Sequence, residues 1–377
     1  MIKTNQFIIA SLLIGIYSLS FASQETYEIY TVREKAMGAT TVANIKNSHQ
    51  FNRNSALLSY KKRASLSLPK LSIGLSTDYI DNSDTLERLA NANEDLSAQM
   101  QDLKSLVPMD FSMNAALSPG LSFTMPYFGL KVYSAAEIAA KLLRKSSPTL
   151  YIAGSYATVI QAGISKEFFI KDHNYSFGIS PKYIFKNTIY DKTTGNDEAR
   201  FTQAEILQHI NDINEQEVSW YSSSGYSLDL GIATEFTRGY TEGIFGISAK
   251  NLISSLKGEK TIQNENQSVS ETEPVVVTVG TNMNVQIPKI KKLIIATDYD
   301  IVAPTQNAFK RFHLGLEKNL YNFLKLRGGV NQGFIVGGVS LNLYIIKLDY
   351  AYFGQELTST LGNSPLLTHN LMLSLIF

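Results

Sequence analysis

The second half of this chain repeats with a period of two. Its last residues, PLLTHNLMLSLIF, put Leu371, Leu373, Leu375 and Phe377 on one side of an extended segment and Asn370, Met372, Ser374 and Ile376 on the other. The same alternation sets Leu228, Leu230 and Ile232 against Asp229, Gly231 and Ala233. It gathers Val275, Val277, Val279, Met283 and Val285 on one face. It sets Ile295, Tyr299 and Ile301 against Ile294, Asp298 and Asp300, and Ile346, Leu348, Tyr350 and Tyr352 against Lys347, Asp349 and Phe353. Side chains alternate faces along a strand, so each stretch is a strand with one apolar side. That side must be buried in a core or turned to lipid. After the N-terminus no stretch reaches the roughly 18 apolar residues that a membrane helix requires.

Fourteen such segments can be marked, near 65–77, 110–118, 120–133, 151–170, 173–190, 223–237, 241–252, 274–286, 291–302, 308–318, 321–331, 333–342, 344–354 and 366–377. The number is even, as bacterial barrels require. With both termini on one side, the turns on that side fall at Pro119, Lys171–Asp172, Arg238–Tyr240, Pro288–Ile290, Asn319–Leu320 and Leu343, all short. The opposite connections, near 78–109, 134–150, 191–222, 253–273, 303–307 and 355–365 with a tight turn at Gln332, are mostly long. Outer-membrane barrels sort loop length this way, and a soluble sandwich has no reason to. The expected fold is therefore all-β: an antiparallel transmembrane barrel of about fourteen strands over 65–377.

The N-terminus supports export. Lys3 precedes an apolar run from Phe7 to Leu19, and small residues follow at Ser20 and Ala22, the pattern of a secretory signal peptide over 1–22. With no cysteine, disulfides, lipid anchoring and thiol chemistry are excluded. The 34 basic residues against 33 acidic ones leave no basic excess, which argues against a nucleic-acid partner. Abundant Tyr and Phe, 20 and 19 with a single Trp, fit a barrel with aromatic girdles.

Residues 23–64 precede the first strand and are too short for a domain, so they are expected to plug the lumen or lie below it. Leu86, Leu89, Leu96, Met100, Leu103 and Val107 form one stripe of a helix within 84–107, and 135–145, AAEIAAKLLRK, reads as a shorter helix. Such helices could lie as a lid on the barrel mouth or bind a partner. The stretch 257–274 is polar and is expected to be flexible.

No enzymatic chemistry is expected. His49, His173, His209, His313 and His369 have neither metal-ligand nor catalytic spacing, and no cofactor is implied. Asp298, Asp300, Glu317, Arg327, Lys347 and Asp349, with Asp229 and Glu235, alternate with apolar residues and so point into the lumen. There they could form a paired network or guide a substrate.

AMGATTVANIKNSHQFNRNSALLSY, from Ala36 to Tyr60, resembles the N-terminal segment of fatty-acid-transporter-like outer-membrane barrels, with Asn54-Ser55-Ala56 where that family has Asn-Pro-Ala. GISPKYIFKNTIYD at 178–191, LDLGIATEF with GISAKNLI over 228–253, and ATDYDI through FHLGLEKNLYNFLKLRGGV over 296–330 more closely resemble the related TraF-like family, named for conjugal transfer. The resemblance implies a fourteen-strand barrel with a hatch, placed in the outer membrane of a Gram-negative bacterium. It also implies a terminal signal, Leu371, Leu373, Leu375 and Phe377, read by the barrel assembly machinery. The implied role is uptake of hydrophobic small molecules. Surface-loop partner binding, or a transfer- or secretion-associated role, stands as the alternative. In the fatty-acid transporters a disturbed third strand lets cargo leave sideways, so Pro126 and Gly129, expected inside the third strand, are candidates for a lateral opening.

Overall fold

The computed structural model describes residues 30–44, 50–90, 96–170, 173–209, 219–287, 291–303, 307–356 and 365–375. The signal peptide expected over 1–22, residues 23–29 of the N-terminal segment, His49 and Phe377 lie outside them.

Among the described residues, fourteen antiparallel strands close into a ring. They run β2 (Leu71–Ser76), β3 (Met109–Met125), β4 (Phe128–Leu143), β5 (Thr149–Ile170), β6 (His173–Tyr190), β8 (Ser219–Arg238) and β9 (Thr241–Ile262). The ring continues with β11 (Val276–Ile287), β12 (Lys291–Val302), β13 (Phe312–Asn319), β14 (Leu324–Asn331), β15 (Phe334–Leu343), β16 (Ile346–Glu356) and β17 (Pro365–Leu375). β17 pairs back onto β2, with Leu371 opposite Ile73, so no edge is left open. Three short strands are accessory: β1 (Ser65–Ser67) on β3, β7 (Ala199–Phe201) on β5 and β10 (Glu265–Glu271) on β9.

Alternation assigns the two faces. On β17, Leu371, Leu373 and Leu375 are 51%, 54% and 61% exposed, while Asn370, Met372 and Ser374 are buried. On β8, Tyr226 and Leu230 are exposed while Ser223, Ser227 and Asp229 are buried. An apolar outside and a polar inside invert a soluble core, and only a membrane barrel can carry that arrangement. Among the described residues no helix is long and apolar enough to cross a membrane.

Several local expectations are corrected. Residues 135–143 are strand rather than helix, because β4 pairs along its length with both β3 and β5. Two complete ladders outweigh the helical preference of an alanine-rich stretch. Pro119 is not a turn. β3 runs through it with a bulge between Leu117 and Leu121, and the turn falls at Pro126–Tyr127. Pro126 is therefore outside any strand. The polar 257–274 stretch is largely a hairpin of β9 and β10. The first barrel strand is broken into β1 and β2, with residues 68–70 unpaired.

The long helix resolves into α2 (Thr77–Asp81), α3 (Ser83–Ala90) and α4 (Leu96–Ser105), which meet α5 (Gln203–His209). Their apolar stripe packs Leu89, Leu103, Ile206 and Leu207 against Phe111, Ala140 and Leu142. Phe111 shares a face of β3 with Leu117 and Leu121, and Leu142 shares a face of β4 with Leu130 and Val132, all exposed to lipid. The helices thus form a shelf on the outward wall above the membrane, not a lid over the mouth.

Candidate functional site

Residues 30–44 and 50–60 lie inside the ring. Its helix α1 (Val32–Ala36) packs on β14, β15, β16 and β17, while a 3-10 turn, Ser55–Tyr60, packs on β5, β6 and β8. A segment touching opposite arcs of a closed ring must fill it. Val32, Ala36, Met37, Val42, Ala56 and Leu58 are all buried. Thr31 and Glu34 form a capping box that starts α1 despite its brevity.

The wall is carved to admit this plug. A Cβ on Gly315 would lie 2.9 Å from Met37 Cβ and Thr40 Oγ1, and closer still to the Met37 carbonyl oxygen. A Cβ on Gly178 would lie 2.6 Å from Ser55 Oγ, and closer still to the Ala56 nitrogen. Gly129 and Gly163 make room for the Phe51 ring and Leu58, and Gly231 for Asn54. Gly129 therefore backs the plug and does not border an opening. The sequence carries a signal for this pattern, glycine recurring at lumen-facing positions of successive strands, which alternation of apolar residues alone does not expose.

The two halves of the plug are held by different chemistry. Residues 50–60 use mainly apolar contacts and neutral hydrogen bonds, with Arg53 stacked 4.5 Å over the Tyr30 ring. Ala43, Ala56 and Leu57 pack on Ala233 and Ile244. The Asn54 amide donates to the Val42 and Ile232 carbonyls at 3.0 and 3.1 Å, and its oxygen accepts from Ala56 N–H at 3.1 Å. Thus Asn54 and Ala56 knit plug to wall, and Ser55 sits on Gly178.

Residues 30–44 use charge. The Asp298 carboxylate accepts from the backbone N–H groups of Thr41 at 2.6 Å and Val42 at 3.1 Å. His313 Nδ1 lies 3.1 Å from the Gly38 carbonyl and 2.8 Å from Asn331 Oδ1, and Nε2 lies 3.5 Å from Asp300. Arg33 Nε and Arg327 Nε both donate to Glu317 Oε2, at 2.7 and 2.9 Å. Arg327 also reaches Asp349 at 3.2 Å, and Lys347 and Ser340 bond that same carboxylate. Six of the eight charges expected from alternation, Asp298, Asp300, Glu317, Arg327, Lys347 and Asp349, therefore lie on the inner face, most of them in two clusters against α1 and the following loop, and Asp229 is buried beside Lys182. Arg33 and the His313 contact were not visible in the sequence, because both depend on where the plug docks.

Lys35 donates to Asn114 Oδ1 at 3.1 Å and Asn370 Oδ1 at 2.6 Å. Burial pushes its ammonium down to about 8, against an opposing pull from Glu137. The undocked lysine, near 10.5, binds more protons than the docked one between those values. Docking should therefore strengthen as pH rises from about 8 to about 10.5, and Lys35→Met should flatten that rise in a thermal-unfolding series. Among the described residues no group of three or more His, Asp or Glu could hold a metal.

Above the plug, one row of inward residues is apolar: Tyr133, Val159, Ile184 and Leu256. They lie in register across β4, β5, β6 and β9, with Gly225 on β8 between the last two. The next row toward the plug is polar, Lys131, Gln161, Lys182 and Ser227. The apolar row ends at a fault in the wall. Tyr133 stands opposite the β3 bulge, where Gly120 takes φ +82°, and residues 68–70 leave the ladder on the other side. Pro69 and Pro119, which have no N–H to donate, lie on the two sides of the fault. Around it, Leu66, Leu68, Leu71, Leu117 and Leu121 face lipid.

No family model and no curated protein matches the sequence. Among solved structures, the chain is similar to the deltaS2S3 mutant of the monoaromatic hydrocarbon channel TodX, at 10% identity over 91% of this chain and 97% of that one, with a TM-score of 0.44. It is also similar to the translocator domain of the autotransporter NalP from Neisseria meningitidis, at 9% identity over 87% and 94%, with a TM-score of 0.36. These likenesses assign neither a family nor a ligand.

Proposed function

We propose that this chain is a hatch-closed channel in the outer membrane of a Gram-negative bacterium that takes up hydrophobic small molecules passively, as its resemblance to the fatty-acid-transporter-like barrels implies. The observation that carries the reading is the apolar row from Leu256 to Tyr133, which crosses the lumen above the plug beside a polar row and ends at a lipid-facing fault in the wall. A hydrophobic molecule would follow that row once the plug yields, and would leave sideways between β3 and the β1–β2 break. In this reading the lateral route runs past Gly120 and Tyr133 rather than Pro126 and Gly129.

Mass spectrometry of small molecules co-purified in mild detergent tests it. An apolar compound should be bound stoichiometrically. Val159→Thr, which keeps the shape, with Ile184→Thr, which also loses one carbon, adds buried hydroxyls, each costing about 1–3 kcal/mol where it cannot hydrogen-bond. Occupancy should then drop by roughly tenfold or more. Unchanged occupancy would remove the row from the route.

One observation favours a second reading. The 77–105 and 203–209 helices converge in one outward shelf with Ile80 and Leu96 exposed, a surface suited to a protein partner. An empty barrel that keeps its fold would favour that reading, including the transfer- or secretion-associated role that the TraF-like resemblance suggests.

A further inference from the structure

We propose that the plug is a two-part gate in which residues 30–44 undock on acidification while residues 50–60 stay seated, with Asp298 and His313 as the latch. The inference rests on the plug being the barrier in the proposed channel, but not on the identity of any cargo.

The latch is asymmetric by construction. The Asn331 amide donates to the Gly354 carbonyl at 2.8 Å, which fixes its oxygen toward His313. His313 Nδ1 therefore faces two acceptors, the Asn331 and Gly38 oxygens, and Nε2 faces the Asp300 carboxylate. Only the doubly protonated ring donates on both sides, so acid does not loosen it. Asp298 differs. Its carboxylate carries the Thr41 and Val42 amides, and charge-assisted bonds of this kind are roughly twice as strong as neutral ones. Adding a proton there weakens both at once and lets go of the loop that follows α1.

The charged groups facing this site from neighbouring elements are Asp300 on β12, beside His313, and Lys250 on β9, beside Asp300, while Glu317, Arg327 and Arg33 form a separate cluster and Lys35 is seated on Asn114 and Asn370. Asp300 is held by Thr278 as well as by His313, so it has a contact that Asp298 lacks. The other half carries Arg53, stacked 4.5 Å over the Tyr30 ring, and Tyr60, which faces Glu235 and Glu167, but among the described residues no carboxylate accepts from its backbone. Phe51, Ala56, Leu57 and Leu58 are seated by apolar packing and by glycine clearances, and the Asn54 amide does not titrate.

Hydrogen exchange of the full chain in detergent reads the two halves separately, after correction for the intrinsic pH dependence of exchange. Peptides covering 37–44 should lose protection by roughly tenfold per pH unit once Asp298 takes up its proton. Peptides covering 55–60 should hold theirs. Asp298→Asn should give 37–44 at pH 7 the low protection that the unaltered chain shows in acid, with 55–60 unchanged. If both halves lose protection together, or neither does, the two-part latch is wrong. The unaltered chain alone decides this if the variant does not fold. An empty barrel in mass spectrometry would count against the uptake role and leave the exchange result standing.

Discussion

Gly315→Ala and Gly178→Ala should each open the pore of an intact barrel, whereas Gly328→Ala should leave it shut. The first two glycines face the lumen, and in both cases the added methyl would run into backbone of the plug, Met37 at one site and Ser55–Ala56 at the other. Backbone cannot rotate away as the end of a side chain can. Overpacking of this kind costs about 1–3 kcal/mol. The cost falls on plug seating, because the wall is fixed by ladders on both sides whose hydrogen bonds the methyl does not touch. Gly328 faces outward, and its added Cβ would meet only the Val336 carbonyl at 3.9 Å, an ordinary contact. Single-channel conductance in planar bilayers would show steady opening for the first pair and the unaltered closed level for Gly328→Ala. Heat-modifiable mobility on gels would confirm that all three barrels are folded. Closed channels in both lumen variants would mean that residues 30–60 are not the barrier.

The strands were legible because lipid and lumen impose opposite chemistry on alternate residues. Leu348 against Asp349 or Leu371 against Asn370 states the face of each side chain without any structure. Turn placement was less legible. Pro119 reads as a turn because proline ends most strands, yet the wall takes it into a bulge opened by Gly120, and Pro126 carries the turn instead. Residues 135–143 are rich in alanine, whose local preference is helical, and only the ladders of β3 and β5 reverse it. The outer hairpin of β9 and β10 is polar on both faces above the membrane, so it carries no apolar period to read. The plug was legible as a segment but not as a site. Its contacts join residues hundreds of positions apart, such as Arg33 with Glu317, and no local pattern encodes a docking register.

That pair leads to a prediction of opposite signs for its two members. Glu317→Gln should destabilise the docked plug strongly, while Arg33→Met should be neutral or stabilising. Glu317 Oε2 is shared by two guanidinium groups, those of Arg33 and Arg327, and its carboxylate lies at 3% exposure. Removing the negative charge leaves both cations buried with Asp349 as the nearest counter-charge, and breaking a buried pair in this way typically costs about 3–5 kcal/mol. Arg33 is a different case. It gives Glu317 one hydrogen bond through Nε, but among the described residues Nη1 and Nη2 are buried without a partner. Each orphaned donor costs about 1–3 kcal/mol of desolvation. Methionine keeps much of the side-chain volume and removes those donors along with the charge, and Glu317 keeps Arg327. The double variant Arg33→Met, Glu317→Gln should therefore recover part of what Glu317→Gln alone loses. Plug docking measured by hydrogen exchange over residues 30–37, in a double-mutant cycle, gives the coupling directly. If Arg33→Met weakens docking as much as Glu317→Gln does, the orphaned guanidinium nitrogens must be solvated in the docked plug, and the charge at position 33 is a net anchor rather than a net cost.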